Sequence, residues 1–247
     1  MEQIIGIIPA RYASSRFPGK PLVNIGGKPM IQRVYEQCLK SKYLNQVIVA
    51  TDDGRIAEAV RQFGGQVVMT SDQHLSGTDR MAEVAASMKE DTILVNIQGD
   101  EPFINPDTID QLVVLLKSST ASIATAAIVI TDQQSIFDAN VVKVVLSGQY
   151  AALYFSRSPI PHQRGVPRDK WLEEGQFFKH IGIYAFRQKA LQEVSKAKPA
   201  ALEQQESLEQ LRWLVLGHEI KVLLTDQESI GIDTPEDLQK IKPFIHD

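Results

Sequence analysis

The chain has 247 residues, a formal net charge of −4 at pH 7, and 43% hydrophobic against 23% charged residues. This is the composition of a globular protein long enough for one large α/β domain or two small ones. The acidic balance argues against a general nucleic-acid binder, which would carry a basic face over the whole domain. No apolar run is long enough to cross a bilayer and the N-terminus shows no signal-peptide pattern, so we expect a cytoplasmic protein without a membrane partner.

Apolar strand-like runs and amphipathic helices alternate over the first half of the chain. Strands are predicted at IIGII, VIVA, VVM and TILVNI, and helices at about residues 29–41, 56–63 and 81–88, with a fourth that starts at Asn105-Pro106. This βαβαβαβ order is typical of a parallel sheet. The single cysteine, Cys38, lies on an apolar helical stripe, so we expect a buried thiol without a chemical role.

From about residue 122 onward the pattern favours strands. They are predicted at SIATAAIVI, VVKVVLS, YAALYFSR and FFKHIGIYAFR, with a hairpin between the second and third. Residues 158–176, which we call the insert, contain three prolines and two glycines and predict a mobile surface excursion. The chain is expected to close with a helix at about 208–216, a strand at IKVLL, and a helix begun by Thr234-Pro235 with Asp237 in the capping position.

A basic loop follows the first predicted strand, in the stretch PARYASSRFPGKP. It contains Arg11 and Lys20, and no carboxylate occurs between Glu2 and Glu36. Backbone N–H groups and cations after a strand hold phosphate in α/β proteins, although a solvated basic loop is the plain alternative. The loop is not a Walker A motif, because Pro21 stands where a P-loop needs Ser or Thr.

The segment NIQGDEP at 96–102 places acidic residues at the end of a predicted parallel strand. Asp100 follows Gly99, which is expected to allow a tight turn there. A carboxylate beside a phosphate loop suits Mg²⁺, whereas the alternative is an acidic turn that caps the next helix. Asp233 in GIDTP could supply a second carboxylate, and a plain turn residue is its alternative.

Two further motifs are predicted at the same edge of the sheet. SGTDR at 76–80 opens a helix with Ser76 and Gly77 and puts Arg80 in its first turn, where a cation opposes the helix dipole. Arg80 is therefore expected to serve a ligand. ATDD ends another strand, and a helix N-cap by Asp52 or Asp53 is at least as good an interpretation.

The second half of the chain offers polar groups for a hydroxylated acid. In HIGIY, His180 and Tyr184 share one strand face, which suits hydroxyl recognition, although a structural histidine is the commoner case. Arg157 could hold a carboxylate in a bidentate grip, with a surface ion pair as the alternative. Glu209 lies in LEQLR among leucines, and a solvated helix face paired with Arg212 is its plain interpretation.

The ordered set of motifs closely resembles the cytidylyltransferases that activate 3-deoxy-manno-octulosonate (Kdo) as CMP-Kdo. The matching segments are PARYASSRFPGKPL, ATDD, SGTDR, NIQGDEP, ALYFSR, KHIGIY, ESLEQLR and DTPEDL, from residue 7 to about 238. The resemblance implies joining of CTP to Kdo with release of pyrophosphate, in the cytoplasm, for lipopolysaccharide assembly. It also implies Mg²⁺ and a homodimer.

The resemblance assigns a role to each matching site residue. The implied catalytic residues are Arg11, Lys20 and Asp100, and the implied magnesium ligands are Asp100 and Asp233. The implied nucleotide-binding residues are Pro9, Ala10, Arg11, Lys20, Ser76, Gly77, Arg80 and Gln98. The implied sugar-acid pocket consists of Gln98, Arg157, His180, Tyr184 and Glu209, while the insert matches the family poorly.

The implied architecture is a nucleotide-diphospho-sugar transferase-like α/β fold, with a mostly parallel central sheet flanked by helices. We expect one domain over residues 1–247. In it, 1–120 is mainly the nucleotide-binding half, 121–200 is a strand-rich subregion for sugar binding and dimerisation, and 201–247 is a closing helix-strand-helix. Alternatives are the same chemistry on 8-amino-Kdo, a sialic-acid-like sugar or a sugar 1-phosphate, and a non-catalytic nucleotide-binding protein of the same fold.

Overall fold

A nine-stranded sheet organises the computed structural model, which describes residues 2–13, 17–228, 230–241 and 243. The strands are β1 (Ile4–Ala10), β2 (Asn24–Ile25), β3 (Lys28–Pro29), β4 (Gln46–Thr51), β5 (Val67–Met69), β6 (Ile93–Asn96), β7 (Ile123–Val129), β8 (Lys143–Leu146), β9 (Ala152–Ser156), β10 (Phe178–Arg187) and β11 (Ile220–Leu224). Of these, β2 and β3 form a separate two-stranded ribbon.

Helices connect most of the strands. They are α1 (Met30–Cys38), α2 (Gly54–Gln62), α3 (Gly77–Ala85), α4 (Pro106–Lys117), α5 (Gln133–Phe137), α6 (Trp171–Glu174), α7 (Gln188–Lys196), α8 (Ala201–Glu206), α9 (Gln210–Val215) and α10 (Leu238–Ile241), with 3-10 turns at Lys20–Leu22, Arg168–Lys170 and Pro235–Asp237. No helix within the described ranges has the length and apolarity that a membrane crossing requires.

The main sheet is mostly parallel, as predicted. Its order is β11-β7-β10-β6-β1-β4-β5, and β8 and β9 form a hairpin attached to β10. The parallel pairs are β1 with β4 and β6, β4 with β5, and β7 with β11, whereas β10 runs antiparallel between β6 and β7. The predicted hairpin of VVKVVLS and YAALYFSR is confirmed, because β8 and β9 pair antiparallel.

Both faces of the sheet are buried, as expected for a parallel sheet covered by helices. Ile5 and Ile7 of β1 face a layer that includes α3, α7 and α9, while Ile4 and Ile8 face α1, α2 and α4. Cys38 belongs to the second layer and is fully buried. The expectation of a buried thiol is thus confirmed, and burial raises the pKa of that thiol.

Side-chain caps fix where several of the helices begin. Asp53 accepts a hydrogen bond from the Arg55 N–H at the start of α2, Ser76 caps α3, and Asn105 caps α4. The prediction that SGTDR opens a helix is confirmed, because α3 begins at Gly77 and the Ser76 hydroxyl satisfies a free N–H of its first turn. The helix thus starts before the apolar stripe predicted at 81–88. The predicted start at Thr234-Pro235 is confirmed as a 3-10 turn, in which Asp237 Oδ2 accepts from the Thr234 N–H at 2.9 Å.

The insert lies at the surface, as predicted, and one buried side chain anchors it to the body of the protein. Trp171 is 3% exposed and packs in a cluster with Ile130, Ile136 and Phe177. Its indole N–H donates to the Val166 carbonyl at 3.0 Å, which closes a turn within the insert. The pattern of prolines and glycines marks the irregular backbone correctly, but one large aromatic side chain supplies enough buried apolar surface to hold it in place.

Candidate active site

A cleft of about 280 Å³ opens at the carboxyl ends of β1 and β6, where parallel sheets place their ligands. All ten residues predicted for catalysis, nucleotide or metal line it: Pro9, Ala10, Arg11, Lys20, Ser76, Gly77, Arg80, Gln98, Asp100 and Asp233. The chain therefore brings together residues that lie more than 200 positions apart in sequence. Their individual roles stay predictions.

An ammonium between two carboxylates forms the centre of the cleft. Lys20 Nζ lies 2.7 Å from Asp100 Oδ2 and 3.3 Å from Asp233 Oδ1. The lysine is placed by Gly19, which adopts φ +72° and donates its N–H to the Tyr12 carbonyl at 2.9 Å before the 3-10 turn begins. Glycine is the residue that adopts this left-handed conformation without a steric penalty, so the loop is shaped by its sequence.

Gly99 is required by a close approach between two loops. A Cβ atom at this position would lie 2.9 Å from the Pro9 carbonyl oxygen, which belongs to the end of β1. The sequence predicts a glycine that permits a tight turn, whereas the structure gives steric contact with the neighbouring strand as the reason. Because Gly99 has no side chain, the backbone that leads to Asp100 can lie directly against the end of β1.

The acidic residues of the cleft fit a magnesium ion that binds together with phosphates. Asp100 and Asp233 point at one cation, the Lys20 ammonium, so their oxygens already converge. Over the described ranges, no group of three or more potential ligands is present that could form an all-protein cage. Mg²⁺ typically uses one or two carboxylates, phosphate oxygens and waters, which matches this pair.

Arg80 has a structural role in addition to lining the cleft. Its guanidinium donates to the Asp52 carboxylate at 3.0 Å, to the Thr70 hydroxyl and to the Ser71 carbonyl, and its side chain is 4% exposed. The arginine thereby links α3 to the ends of β4 and β5. Asp53, not Asp52, caps α2, so ATDD divides its two carboxylates between a helix cap and this ion pair.

Gln98 and Glu209 connect the cleft wall to neighbouring elements. Gln98 Nε2 donates to the Gly182 carbonyl of β10 at 2.8 Å. Glu209 accepts from the Ser76 hydroxyl at 3.1 Å and the Thr78 hydroxyl at 2.9 Å. Burial raises the pKa of Glu209, and the two hydroxyl hydrogen bonds lower it only in part. A solvated helix face is therefore the wrong interpretation of Glu209, although Arg212 does lie 4.0 Å away.

His180 and Tyr184 lie together on β10, beyond the residues that line the cleft. Their ring centroids are 5.4 Å apart, closer than four residues of a regular strand allow, because the register of β10 shifts between Ile181 and Tyr184. His180 Nε2 lies 3.0 Å from the Thr125 hydroxyl. Burial lowers the pKa of His180 to about 3 and raises the pKa of Tyr184, so both side chains are neutral near pH 7. Neutral donors and acceptors of this kind suit sugar hydroxyls.

Arg157 also lies outside the cleft lining, at the end of β9. Its Nε donates to the Glu206 carbonyl at 2.7 Å, and its terminal nitrogens donate to the carbonyls of Ala139 and Ser207. The predicted alternative of a surface ion pair is therefore not what these contacts show. The predicted contact with a substrate carboxylate stays a prediction.

Four residues of the cleft lining were not predicted as site residues: Pro21, His74, Leu75 and Gly99. His74 pairs with the Glu83 carboxylate on α3, and Leu75 is 88% exposed beside Ser76. Their position directly before SGTDR is the only sequence signal for them, because neither residue type by itself indicates nucleotide binding.

Comparison with known proteins agrees with this geometry. A family model described as Cytidylyltransferase matches residues 5–222. The 3-deoxy-manno-octulosonate cytidylyltransferase of Parabacteroides distasonis is 53% identical, with 99% of each chain covered. The chain belongs to the 3-deoxy-manno-octulosonate cytidylyltransferase family. The protein of that name from Bacteroides thetaiotaomicron is 49% identical, with 98% of each chain covered.

Solved structures place the whole chain within the fold of the 3-deoxy-manno-octulosonate cytidylyltransferase family. A CMP:2-keto-3-deoxy-manno-octonic acid synthetase complexed with CTP is similar with a TM-score of 0.91 and 41% identity, and covers 99% of this chain and 98% of its own. The mostly parallel nucleotidyltransferase-like sheet is thus confirmed. A 4-diphosphocytidyl-2C-methyl-D-erythritol synthase from Anaerococcus prevotii, at 14% identity and a TM-score of 0.63, shares the fold alone.

Proposed function

We propose that the chain joins CTP to Kdo, giving CMP-Kdo and pyrophosphate for lipopolysaccharide assembly. The observation that carries the proposal is the Lys20 ammonium held between Asp100 and Asp233 in a cleft lined by the basic loop. The family membership supplies the substrates, since the relatives named above are Kdo cytidylyltransferases.

The reaction is an in-line displacement at phosphorus. The anomeric hydroxyl of Kdo forms a bond to the α-phosphorus of CTP, the bond to the bridging oxygen of pyrophosphate breaks, and the hydroxyl proton passes to solvent. Lys20 turns from the carboxylates to phosphate oxygens as nucleotide binds, and Arg11 offsets charge on the same oxygens. Asp100 and Asp233 would hold Mg²⁺, which would supply further charge neutralisation and lower the pKa of the attacking hydroxyl.

The sugar acid is placed by groups next to the nucleotide cleft. Gln98 lines the cleft and contacts β10, which carries His180 and Tyr184. Glu209 accepts a hydrogen bond from Ser76 in the wall of the cleft, and Arg157 provides a cation for the carboxylate of the sugar acid. We expect the enzyme to act in the cytoplasm as a homodimer that uses the strand-rich subregion, and both statements stay predictions.

The test is pyrophosphate release by the purified chain with CTP and Mg²⁺. Acceptors are compared side by side: Kdo, 8-amino-Kdo, a sialic acid and N-acetylglucosamine 1-phosphate. We expect release with Kdo, loss of release on removal of Mg²⁺ by a chelator, and recovery when Mg²⁺ is added back. Release with another acceptor in place of Kdo would reassign the sugar pocket, and no release with any acceptor would overturn the proposal in favour of a nucleotide-binding protein.

A further inference from the structure

The buried Lys143 and the half-buried Glu206 hold the peptide groups of Arg157. The Arg157 N–H donates to Glu206 Oε2 at 2.9 Å, and the Arg157 carbonyl accepts from Lys143 Nζ at 2.6 Å. Glu206 Oε1 also accepts from the Ser156 hydroxyl at 2.6 Å. One residue at the end of β9 is therefore fixed from both sides by groups of opposite charge.

Lys143 is an unusual residue for this position, because lysine is almost never fully buried without a partner. Its exposed fraction is 0%, and its ammonium donates to three main-chain carbonyls, those of Asp138, Val141 and Arg157. Burial lowers the pKa of Lys143, which reflects the cost of removing the charge from water. An apolar residue would fill β8 without that cost, so the ammonium has a purpose other than filling space.

The Arg157 guanidinium has N–H groups that its contacts with other described residues do not use. A guanidinium carries five N–H groups, and the contacts to Glu206, Ala139 and Ser207 use three of them. One N–H therefore remains on each terminal nitrogen. Two N–H groups on the terminal nitrogens can donate to the two oxygens of one carboxylate in a bidentate contact. The three carbonyl contacts orient this pair without consuming it.

The same contacts connect Arg157 to the nucleotide cleft. The guanidinium holds the carbonyls of Glu206 and Ser207, and Glu209, a few residues further along, contacts Ser76 in the cleft wall. The connection between α8 and α9 is thus held at one end by Arg157 and at the other by the cleft. This short segment therefore connects the arginine to the nucleotide site.

We propose that Lys143 and Glu206 are positioning residues that fix Arg157 in the orientation needed to bind the carboxylate of the sugar acid. The inference rests on the proposed function, because it takes a sugar acid to be the acceptor. Lys143 and Glu206 touch neither substrate. They act on acceptor affinity through the main chain of Arg157.

The test is steady-state kinetics of the full chain with Lys143→Met, Glu206→Ala and Glu206→Gln, together with melting temperatures. Lys143→Met and Glu206→Ala are expected to raise KM for Kdo about tenfold while KM for CTP and kcat change less than about twofold. Glu206→Gln is expected to recover part of the loss, because its amide oxygen still accepts from the Arg157 N–H. Lys221→Met is the matched control, since Lys221 also donates to a carbonyl of the hairpin connection, that of Gln149, but does not contact Arg157.

A double-variant cycle distinguishes positioning from general destabilisation. Glu206→Ala combined with Arg157→Ala should be no worse for KM of Kdo than Arg157→Ala alone, because both act on one contact. Unchanged KM for Kdo in folded Glu206→Ala, an equal rise in KM for CTP, or full additivity would each overturn the inference. If Lys143→Met does not fold, Glu206→Ala decides. Absence of turnover by the wild-type chain would instead overturn the proposed function, and calorimetric binding of Kdo to the same variants would then test the positioning.

Discussion

Lys20 Nζ lies 2.7 Å from Asp100 Oδ2, so the cation of the basic loop contacts a candidate metal ligand that follows it by 80 residues. With Asp233 on its other side, Lys20 occupies the place where the two carboxylates converge. The proposed binding of MgCTP therefore requires Lys20 to exchange a carboxylate contact for a phosphate contact. The contact also keeps both carboxylates in position while the cleft is without substrate.

We predict that Asp100→Asn abolishes most turnover and leaves the fold intact. Loss of one charge that faces the triphosphate should lower kcat by roughly 100- to 1000-fold, the size of effect seen when one electrostatic stabiliser of a transition state is removed. Pyrophosphate release and a thermal melt measure both properties. Asp226→Asn, on an exposed loop residue, is the control and should keep full activity. Near-normal turnover of Asp100→Asn at saturating Mg²⁺ would refute the assignment.

We predict that Gly99→Ala destabilises the protein by about 1–3 kcal/mol, because the added methyl group would lie 2.9 Å from the Pro9 carbonyl and force the loop to move. The displacement should also raise KM for CTP. Urea unfolding compares this variant with Gly148→Ala, where an added Cβ has no atom within 4 Å. Equal stability of the two variants would contradict the steric explanation.

We predict that Glu209→Gln loses activity but gains stability relative to the wild type as the pH rises. Burial, with the charge of Asp79 as a smaller cause, raises the pKa of Glu209 above its ordinary value of 4.5. The folded state therefore keeps a proton over a pH range in which the unfolded chain has lost it, so the contribution of Glu209 to stability declines through that range.

Urea unfolding of Glu209→Gln and the wild type at roughly pH 5 and pH 8 measures this effect, because the difference in unfolding free energy should grow in favour of the variant. Glu58→Gln, at an exposed position of α2, is the control and should show no such trend. A wild type that gains stability over Glu209→Gln with rising pH would show that the carboxylate is stabilised in its charged form.

We predict that the His180 imidazole stays neutral down to about pH 4, because burial lowers its pKa to about 3. Long-range ¹H–¹⁵N NMR spectra of the ring nitrogens measure the titration, and His180→Gln assigns the signals by removing them. The histidine then serves as an uncharged hydrogen-bonding group at every pH where the enzyme is assayed. A titration midpoint near the ordinary value of 6.5 would mean that solvent reaches the ring.

The parallel half of the sheet could be predicted from sequence because its signals are local. Each strand is a short apolar run, and each helix has a polar N-cap and an apolar stripe, as in α2 after Asp53. Helix α7 carries the same stripe at Ala190, Leu191 and Val194 but was not predicted. The antiparallel placement of β10 between β6 and β7 depends on contacts between distant segments, so no local pattern reveals it.

The sequence allowed the residues of the candidate site to be predicted, but not the contacts between them. The basic loop and NIQGDEP indicate phosphate and metal chemistry by composition, and both line the cleft. The ion pair of Arg80 with Asp52 joins residues 28 positions apart in the sequence, and the hydrogen bond from Ser76 to Glu209 joins residues 133 positions apart. No local pattern reveals such contacts. Lys143 gives no sequence signal, because a lysine in a strand is normally exposed.

The buried Trp171 anchors the insert through contacts that do not involve the residues lining the nucleotide cleft. Its outer turn at Arg164-Gly165 is exposed, while the anchoring contacts lie at Trp171, Val166 and Gln163. Exposed tips of this kind accept extra residues well. A peptide tag or fluorophore introduced at 164–165 is therefore expected to report on the enzyme without disturbing the nucleotide cleft.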